Sequence, residues 1–253
     1  MTDLPLLWHF PVSHYNEKVR WALDHKRIPH RREVLGPDYL IRAWRATGKG
    51  TLPILWLDGK AIGDSTHIIA ALEQKYPQAA LYPGDESARV RALALEDFFD
   101  ENLGSALRSI FIGPLFKQDP EIALNVITTG MPEKSRRTIR PVLPMFKLYY
   151  KFRHRIHDEN LEAERQQVAT ALDRLASEVQ PSGYLVGDSF SVADLTAASL
   201  LAPLVVPPQL QYPLAVQLPE YVEIFRRGLQ PHPGYKWVEE MYRRHRGASA
   251  EIR

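Results

Sequence analysis

The amino-acid sequence predicts an α/β unit followed by an all-helical unit. Short apolar runs alternate with helical patterns as far as Tyr76, which is typical of a mixed sheet with helices on its faces. Long helical patterns follow from residue 88, after a segment at 77–87 that contains Pro and Gly. We therefore expect one domain at 1–76, a linker at 77–87 and a second domain at 88–253.

The first unit shows clear strand, turn and helix signals. Ser13 precedes apolar residues at helical spacing, so it is predicted to be the N-cap of a helix. Asp58-Gly59 is a strong two-residue turn signal between two strands, and Pro53 fits the start of the first of them. The predicted elements are a strand at 4–10, a helix at 14–26, a strand at 32–34, a helix at 39–46, hairpin strands at 53–57 and 60–62, and a helix at 65–76.

The second unit shows only helical patterns. The segment 192–201 is apolar on all sides, as expected of a helix in the middle of a bundle. The prolines that follow are expected to end it, namely Pro203, Pro207, Pro208 and Pro213. The other predicted helices lie at 88–112, 161–179, 221–229 and 235–245.

Two of the predicted helix starts have the chemistry of anion-binding sites. Backbone N–H groups at a helix N-terminus lack partners within the helix, and the helix dipole favours negative charge there. Ser13 occupies the first such position, and Asp64-Ser65 occupy the second. Each feature is equally compatible with a simple helix cap, so neither establishes a ligand site by itself.

Taken together, these motifs resemble the glutathione transferase family. The matching features are Ser13-His14-Tyr15-Asn16 in place of the Cys-Pro-Tyr-Cys of thioredoxin-like proteins, Leu52-Pro53 as the cis-proline dipeptide, Asp64-Ser65 as the acidic-Ser pair, and Phe190-Ser191-Val192-Ala193-Asp194-Leu195 as the capping box of the helical domain. The resemblance implies a thioredoxin-like α/β domain followed by an all-α bundle.

The resemblance also implies glutathione as co-substrate and no metal. Ser13 would be the catalytic residue and would donate a hydrogen bond to the glutathione thiolate. The glutathione-binding residues would be Leu52 and Pro53 through backbone geometry, Asp64 and Ser65 at the γ-glutamyl end, Asn16 near the thiol, and Lys49, because Thr51 stands where the family often has Lys.

A small apolar electrophile is the second substrate that the resemblance implies. Its acceptor pocket would include Phe10, Tyr15, Phe111 and Phe116. A cytoplasmic homodimer active in detoxification is expected, with no nucleic-acid partner. Lyase and isomerase reactions of glutathione remain open, as does a catalytically silent binding or assembly module.

The composition narrows the chemistry further. The chain has 253 residues and no cysteine, so it cannot form a mixed disulfide with a substrate, and glutaredoxin-type exchange through a thiol of the protein is excluded. No run of apolar residues approaches the ~18 that a membrane span needs. Any thiol chemistry must therefore use a thiol that a ligand brings.

A basic insertion at about 113–158 departs from the ordinary length of the family. Within it, the 22 residues 134–155 contain eight Lys or Arg and no Asp or Glu, although the whole chain has a net charge of only +2. A pattern at helical spacing, formed by Val142, Phe146, either Tyr149 or Tyr150, and Arg153, predicts an amphipathic helix. One interpretation is a solvated extension over the acceptor pocket. The alternative is binding to anions or a membrane surface, as basic amphipathic helices do.

Overall fold

The computed structural model describes residues 4–36, 38–117, 119–154, 156, 160–213 and 217–252. A four-stranded sheet with the order β2-β1-β3-β4 forms the N-terminal part. Its strands are β1 (Leu6–His9), β2 (Arg31–Val34), β3 (Ile54–Leu57) and β4 (Lys60–Gly63). Strand β1 pairs in parallel with β2, whereas the β1–β3 and β3–β4 pairs are antiparallel. The predicted α/β class is confirmed.

Three helices accompany this sheet, and eight more lie in the described part of the C-terminal region. The first three are α1 (His14–His25), α2 (Tyr39–Thr47) and α3 (Ser65–Lys75). The others are α4 (Glu86–Leu115), α5 (Pro120–Ile127), α6 (Glu133–Ile139), α7 (Leu143–Arg153), α8 (Leu161–Glu178), α9 (Val192–Val205), α10 (Glu220–Leu229) and α11 (Pro233–His245). A single 3₁₀ turn, Arg140–Val142, joins α6 to α7. This arrangement confirms the predicted all-helical second part.

Helix α9 forms the centre of the bundle. Among the twelve residues from Val192 to Pro203, Asp194 is the one charged residue, and almost all of the twelve are buried. Helix α9 packs against α4, α11 and α1, so that side chains of the sheet region and of the bundle form one continuous core. The predicted capping box is present: Asp194 Oδ2 accepts hydrogen bonds from Ser191 N at 2.8 Å and Ser191 Oγ at 2.7 Å.

Two helices continue past an internal proline, and one of these, Pro203, was among the prolines expected to end its helix. Helix α9 runs through Pro203 to Val205, and α4 runs through Pro114 to Leu115. Each proline removes only one backbone donor near the C-terminal end of a helix. Leu204, Val205 and Leu115 are buried beyond those prolines, and their burial stabilises the last turn. The prediction was therefore wrong for Pro203, although α9 does end at Val205, before Pro207.

The insertion folds into the short helices α5 to α7 with a small apolar core of its own. The buried members of that core are Leu124, Ile127, Ile139 and Leu143, and the partly buried Phe116, Met131 and Phe146 pack against it. The predicted amphipathic helix corresponds to α7. Arg155, the last basic residue of the stretch 134–155, lies outside the described residues.

The C-terminal segment returns to the first helix through buried charges. Arg246 donates to Glu17 at 2.7 Å and to Asp24 at 2.9 Å, and all three side chains are almost fully buried. Ile252 N also donates to the carbonyl oxygen of His30 at 2.8 Å. These contacts fix α1, whose N-terminus carries Ser13, against the rest of the chain.

Candidate active site at the N-terminus of the first helix

The sheet register brings three loop segments to one edge. Trp8 of β1 pairs with Ile54 of β3, and Ile54 pairs with Gly63 of β4. The end of β1, the start of β3 and the end of β4 therefore lie side by side. The segments that continue from these points contain Ser13, Leu52-Pro53 and Asp64-Ser65, so the topology places the three predicted site motifs at the same edge.

Ser13 is the N-cap of α1, as predicted, but its side chain does not cap the helix. Its backbone is extended, with φ −82° and ψ 130°, and the hydroxyl makes no hydrogen bond to the first turn. The half-buried hydroxyl and the free N–H groups of that turn are thus both available to a ligand. A negatively charged atom beside them would be stabilised by the helix dipole as well as by hydrogen bonds.

Buried side chains of α1 hold the loop that precedes Ser13. Arg20 donates to the carbonyl oxygen of Pro11 at 2.8 Å and is paired with Glu17 at 2.9 Å. Asn16 accepts a hydrogen bond from Phe10 N at 3.2 Å. Since the carboxamide oxygen of Asn16 is used in this way and the residue is buried, its place in the site is that of a support for the loop.

Two cavities meet at Ser13. The smaller measures about 70 Å³ and the larger about 180 Å³. Four residues line both of them: Phe10, Ser13, Arg108 and Tyr150. The larger cavity is otherwise mostly apolar and aromatic, and its further lining includes Tyr15, Asn16, Tyr39, Thr51, Leu52, Ile127, Met131, Ile139, Val142, Phe146 and His154. A thiolate held at Ser13 would therefore face an apolar chamber.

The second predicted motif borders the larger cavity. The Leu52-Pro53 peptide bond is cis, and Leu52 and Thr51 both line the chamber beside Ser13. Lys49 lies on the exposed loop between α2 and β3. It does not line either cavity, so any contact with a ligand would be made from the rim.

The third motif begins α3. Asp64 is an exposed N-cap residue whose carboxylate accepts a hydrogen bond from Thr66 N at 3.0 Å, while Ser65 is buried at the first helical position. Asp64 has φ 75°, a left-handed conformation that is uncommon for a residue other than Gly. Neither residue lines the two cavities. The exposed Asp64 therefore lies at the start of α3 and outside both cavities.

A buried ion network connects α3 to the other helices at this edge. Lys18 pairs with Glu96 and with Asp100, each at 2.8 Å, and the Lys18 and Glu96 side chains are completely buried. Thr66 Oγ1 lies 3.0 Å from an oxygen of each of the same two carboxylates, either of which can accept its single proton. Since removing one partner of a buried pair leaves an uncompensated charge, this network holds α1, α3 and α4 in a fixed relation.

Tyr15 is anchored by α4 and is not an activated hydroxyl. It donates to the main-chain oxygen of Asp100 at 2.9 Å. Burial, and next the negative charge of Asp100, raise its pKa to about 12. His14 lines the smaller cavity, and burial together with the positive charge of Arg108 lowers its pKa to about 3. Both side chains are therefore neutral at physiological pH.

The three phenylalanines predicted for the acceptor pocket lie in different places, and Phe10 lines both cavities. Phe111 lines the smaller cavity at Ser13. Phe116 lines neither of the cavities at Ser13. Its ring contacts Tyr150 and packs into the small core of the insertion. Helix α4 extends as far as Leu115, which carries Phe116 beyond the site, so we leave Phe116 out of the proposed pocket.

Arg108 is a site residue that the sequence analysis missed. It lines both cavities, and Nη1 donates to His154 Nδ1 at 3.0 Å. Burial and the charge of Arg108 lower the pKa of His154 to about 4, so this partner is neutral. No carboxylate in the described part of the chain pairs with Arg108. A lone Arg between Leu107 and Ile110, within a buried helical pattern, was the signal that could have identified it.

Tyr39, Tyr150 and His154 were missed as well. Tyr39 belongs to α2, and Tyr150 and His154 belong to the insertion, so no local motif joins them. Phe146 contacts the rings of both Tyr39 and Tyr150, and Tyr150 in turn contacts the ring of His154.

Comparisons with known proteins agree with the fold. The family model of the glutathione S-transferase N-terminal domain matches residues 7–80, and that of the C-terminal domain matches residues 158–227. Among solved structures, β-etherase LigF from Sphingobium sp. strain SYK-6 aligns with a TM-score of 0.62 and 21% identity, covering 94% of this chain and 99% of that one. A glutathione S-transferase from Methylobacillus flagellatus KT with bound glutathione aligns with a TM-score of 0.62 and 20% identity, covering 96% of each chain.

Curated relatives match over shorter spans. LigF of Sphingobium sp. is 26% identical over 149 residues, which is 58% of this chain and 56% of that protein. Glutathione S-transferase DHAR2 of Arabidopsis thaliana is 29% identical over 80 residues, which is 30% of this chain and 36% of that protein. The chain thus spans between a third and three fifths of the length of these relatives. The two domain models, however, match in the family's order over more than half of the chain, and it therefore belongs to the glutathione S-transferase family.

Proposed function

We propose that this chain is a glutathione-dependent enzyme in which the Ser13 hydroxyl donates a hydrogen bond to the thiolate of bound glutathione. The observation that carries the proposal is the Ser13 hydroxyl itself, which lies at a helix N-terminus without capping that helix and borders both cavities. A hydroxyl that does not cap its own helix can donate a hydrogen bond to an anionic atom of a ligand.

The expected interaction energies at Ser13 are large enough to ionise a bound thiol. A helix N-terminus stabilises an adjacent anion by about 0.3–1 kcal/mol, and a hydrogen bond to a charged group adds about 1.5–3 kcal/mol. Together these correspond to a lowering of the thiol pKa by roughly 1.5–3 units. A thiol with an ordinary pKa near 8.5 would then be largely ionised at neutral pH.

The remainder of glutathione would extend along the sheet edge. The Leu52 backbone beside the cis-proline would bind the cysteinyl part, and the α3 N-terminus with Asp64 and Ser65 would bind the γ-glutamyl group. The carboxylate of that group would meet free N–H groups, and Asp64 would face its ammonium. Lys49 is the cation proposed for the glycyl carboxylate. The exposure of Asp64 at the N-cap of α3 supports this direction.

The second substrate would occupy the larger cavity. Its apolar and aromatic lining favours a small apolar electrophile. The thiolate sulfur would attack the electron-poor carbon of that electrophile to form a C–S bond, while the bond from this carbon to the departing group breaks and its electron pair leaves with that group. Arg108 is the cation beside this chamber. It would stabilise negative charge on the thiolate before attack and on the departing group afterwards.

A second candidate reaction is cleavage of an ether. The similarity to β-etherase LigF and the position of Arg108 favour it. The thiolate would attack the carbon that bears the ether oxygen, the C–S bond would form, and the C–O bond would break with its electron pair leaving on oxygen. Arg108 would stabilise that oxyanion, which then takes a proton from water.

Calorimetric titration with glutathione and with cysteine, followed by turnover assays on haloaromatic, epoxide and aryl-ether electrophiles, tests the proposal. We expect saturable binding of glutathione and glutathione-dependent consumption of at least one class. Binding without turnover of any electrophile would favour the silent module. Absence of glutathione binding would overturn the proposal. We also propose a homodimer, which sedimentation velocity would test.

A further inference from the structure

One helix of the insertion has an exposed apolar stripe. On α7, Met145 is 69% exposed, Leu148 71% and Phe152 85%, and Tyr149 is also exposed. These residues recur at i, i+3, i+4 and i+7, so they share one face of the helix. A solvated extension would carry polar side chains on that face. Three large apolar side chains in a row on the surface therefore require an explanation.

Positive charges flank the stripe on both sides. At about 100° per residue, Lys151 lies beyond Leu148 at one edge of the stripe and Arg153 lies beyond Tyr149 at the other. Both are exposed, and neither pairs with a carboxylate among the residues that the structure describes. No acidic residue occurs anywhere in the stretch 134–155.

The opposite face of α7 borders the proposed active site. Leu143 is buried in the small core, Phe146 and Tyr150 line the larger cavity, and His154 follows at the end of the helix. The helix therefore separates the cavity from the surface that bears the apolar stripe. Its two faces have different environments: one packs against the protein, whereas Met145, Tyr149 and Phe152 of the other are exposed and Leu148 borders a further cavity of about 280 Å³ beside Phe116.

We propose that the outer face of α7 docks on the surface of anionic bilayers. Apolar side chains of such a helix enter the boundary between headgroups and acyl chains, while flanking Lys and Arg bind anionic headgroups with their stems along the apolar surface. The docking is peripheral. None of the helices described has the length and apolar content needed to cross a membrane.

The charge pattern favours lipid over a second copy of this chain. An isologous contact through α7 would bring the same unpaired cations together, which is unfavourable. An anionic lipid surface instead complements them, with about fivefold in partitioning expected for each basic residue close to the surface. Docking would also bring apolar compounds dissolved in the bilayer next to the helix that covers the cavity.

Cosedimentation with vesicles tests the proposal. The full chain is mixed with vesicles of phosphatidylcholine alone or with added phosphatidylserine, at low and at physiological salt. We expect binding to the anionic vesicles that weakens as salt is added. The double variant Leu148→Ser/Phe152→Ser should bind them at least tenfold less well, because each large apolar side chain contributes about tenfold or more.

Two further variants complete the test. Lys151→Gln/Arg153→Gln should lose most of the preference for anionic over neutral vesicles. Ile41→Ser/Ile224→Ser, which removes exposed apolar side chains of α2 and α10, should bind like the parent. Thermal melts establish that each variant is folded. Equal binding to both vesicle types, or unchanged binding of Leu148→Ser/Phe152→Ser, would overturn the proposal. So would a loss of self-association in that variant without any lipid binding by the parent.

Discussion

Gly104 of α4 leaves the space that the Tyr15 side chain of α1 occupies. A Cβ atom on Gly104 would lie 1.6 Å from the Tyr15 hydroxyl oxygen. That hydroxyl donates to the carbonyl oxygen of Asp100, one helical turn earlier on α4. The glycine thus lets α1 and α4 approach closely, and this approach positions the N-terminus of α1 against the two cavities.

This close approach predicts that the effect of Gly104→Ala on the free energy of unfolding depends on whether the Tyr15 side chain is present. Gly104→Ala should lower the free energy of unfolding by about 1–2 kcal/mol, because Tyr15 must move, and overpacking outweighs the gain in helix propensity. In a Tyr15→Ala background the same change should be neutral or stabilising by up to about 1 kcal/mol. Urea denaturation of the four proteins measures this. Equal destabilisation by Gly104→Ala in both backgrounds would refute the steric account.

Replacing Ser13 tests the proposed activation of the thiol. Ser13→Ala should raise the pKa of the thiol of bound glutathione by about 1–2 units, since a charge-assisted hydrogen bond of roughly 1.5–3 kcal/mol is lost. Turnover near neutral pH should fall about tenfold or more. Ser13→Thr, which keeps a hydroxyl, and Tyr15→Phe, which removes a different one, are the controls. Ultraviolet difference titration of the thiolate reports the pKa, and an unchanged value in Ser13→Ala removes Ser13 from the mechanism.

The charge of Asp64 is predicted to bind the glutathione ammonium. Asp64→Asn keeps a side chain that caps helices and tolerates a left-handed backbone, but it removes the charge. Glutathione binding should weaken by about 1.5–3 kcal/mol. Asp85→Asn is a matched control, since Asp85 also caps a helix, accepting from Ala88 N at 2.8 Å. Calorimetry compares the two variants. Parental affinity in Asp64→Asn would limit this motif to a structural role.

Arg108 is predicted to stabilise developing negative charge. Arg108→Gln should lower kcat/KM by at least about tenfold, while Arg108→Lys, which keeps the charge, should lose less. Arg89→Gln, on an exposed face of the same helix, serves as control. The loss should grow as the departing group becomes more basic, because more charge then needs stabilising. A loss that is the same for all departing groups would indicate a packing role for Arg108.

Burial of His14 makes stability sensitive to acid. Its pKa is lowered to about 3 from an unfolded value of 6.5, by burial first and then by Arg108. Between these two pH values the folded chain binds fewer protons than the unfolded chain, so the free energy of unfolding falls as the pH falls. At pH 5 His14 alone should account for about 2 kcal/mol.

Urea denaturation at pH 7.5 and pH 5 checks this expectation. Between the two pH values, the free energy of unfolding of His14→Gln should fall by about 2 kcal/mol less than that of the parent. His67→Gln is the control, because that side chain is exposed. A loss in His14→Gln as large as in the parent would show that other groups cause the acid sensitivity.

Local sequence signals determined the parts of the site that belong to turns and helix starts. Ser13 as an N-cap, the Asp58-Gly59 hairpin and Asp64 as the second cap each follow from backbone chemistry within a few residues. Such features depend on short-range hydrogen bonds and sterics, so they can be predicted without knowing the rest of the molecule. The alternation of strands and helices likewise determined the fold class.

Only the tertiary structure decided which distant residues surround Ser13. Arg108 reaches the site because α4 packs beside α1 at Gly104, and Phe116 misses it because α4 continues through Pro114. The sequence alone also left open which face of α7 is covered. Helical periodicity shows that side chains share a face, but burial of that face depends on packing between elements far apart in the chain. That packing turns Phe146 and Tyr150 toward the cavity and leaves Leu148 and Phe152 on the surface.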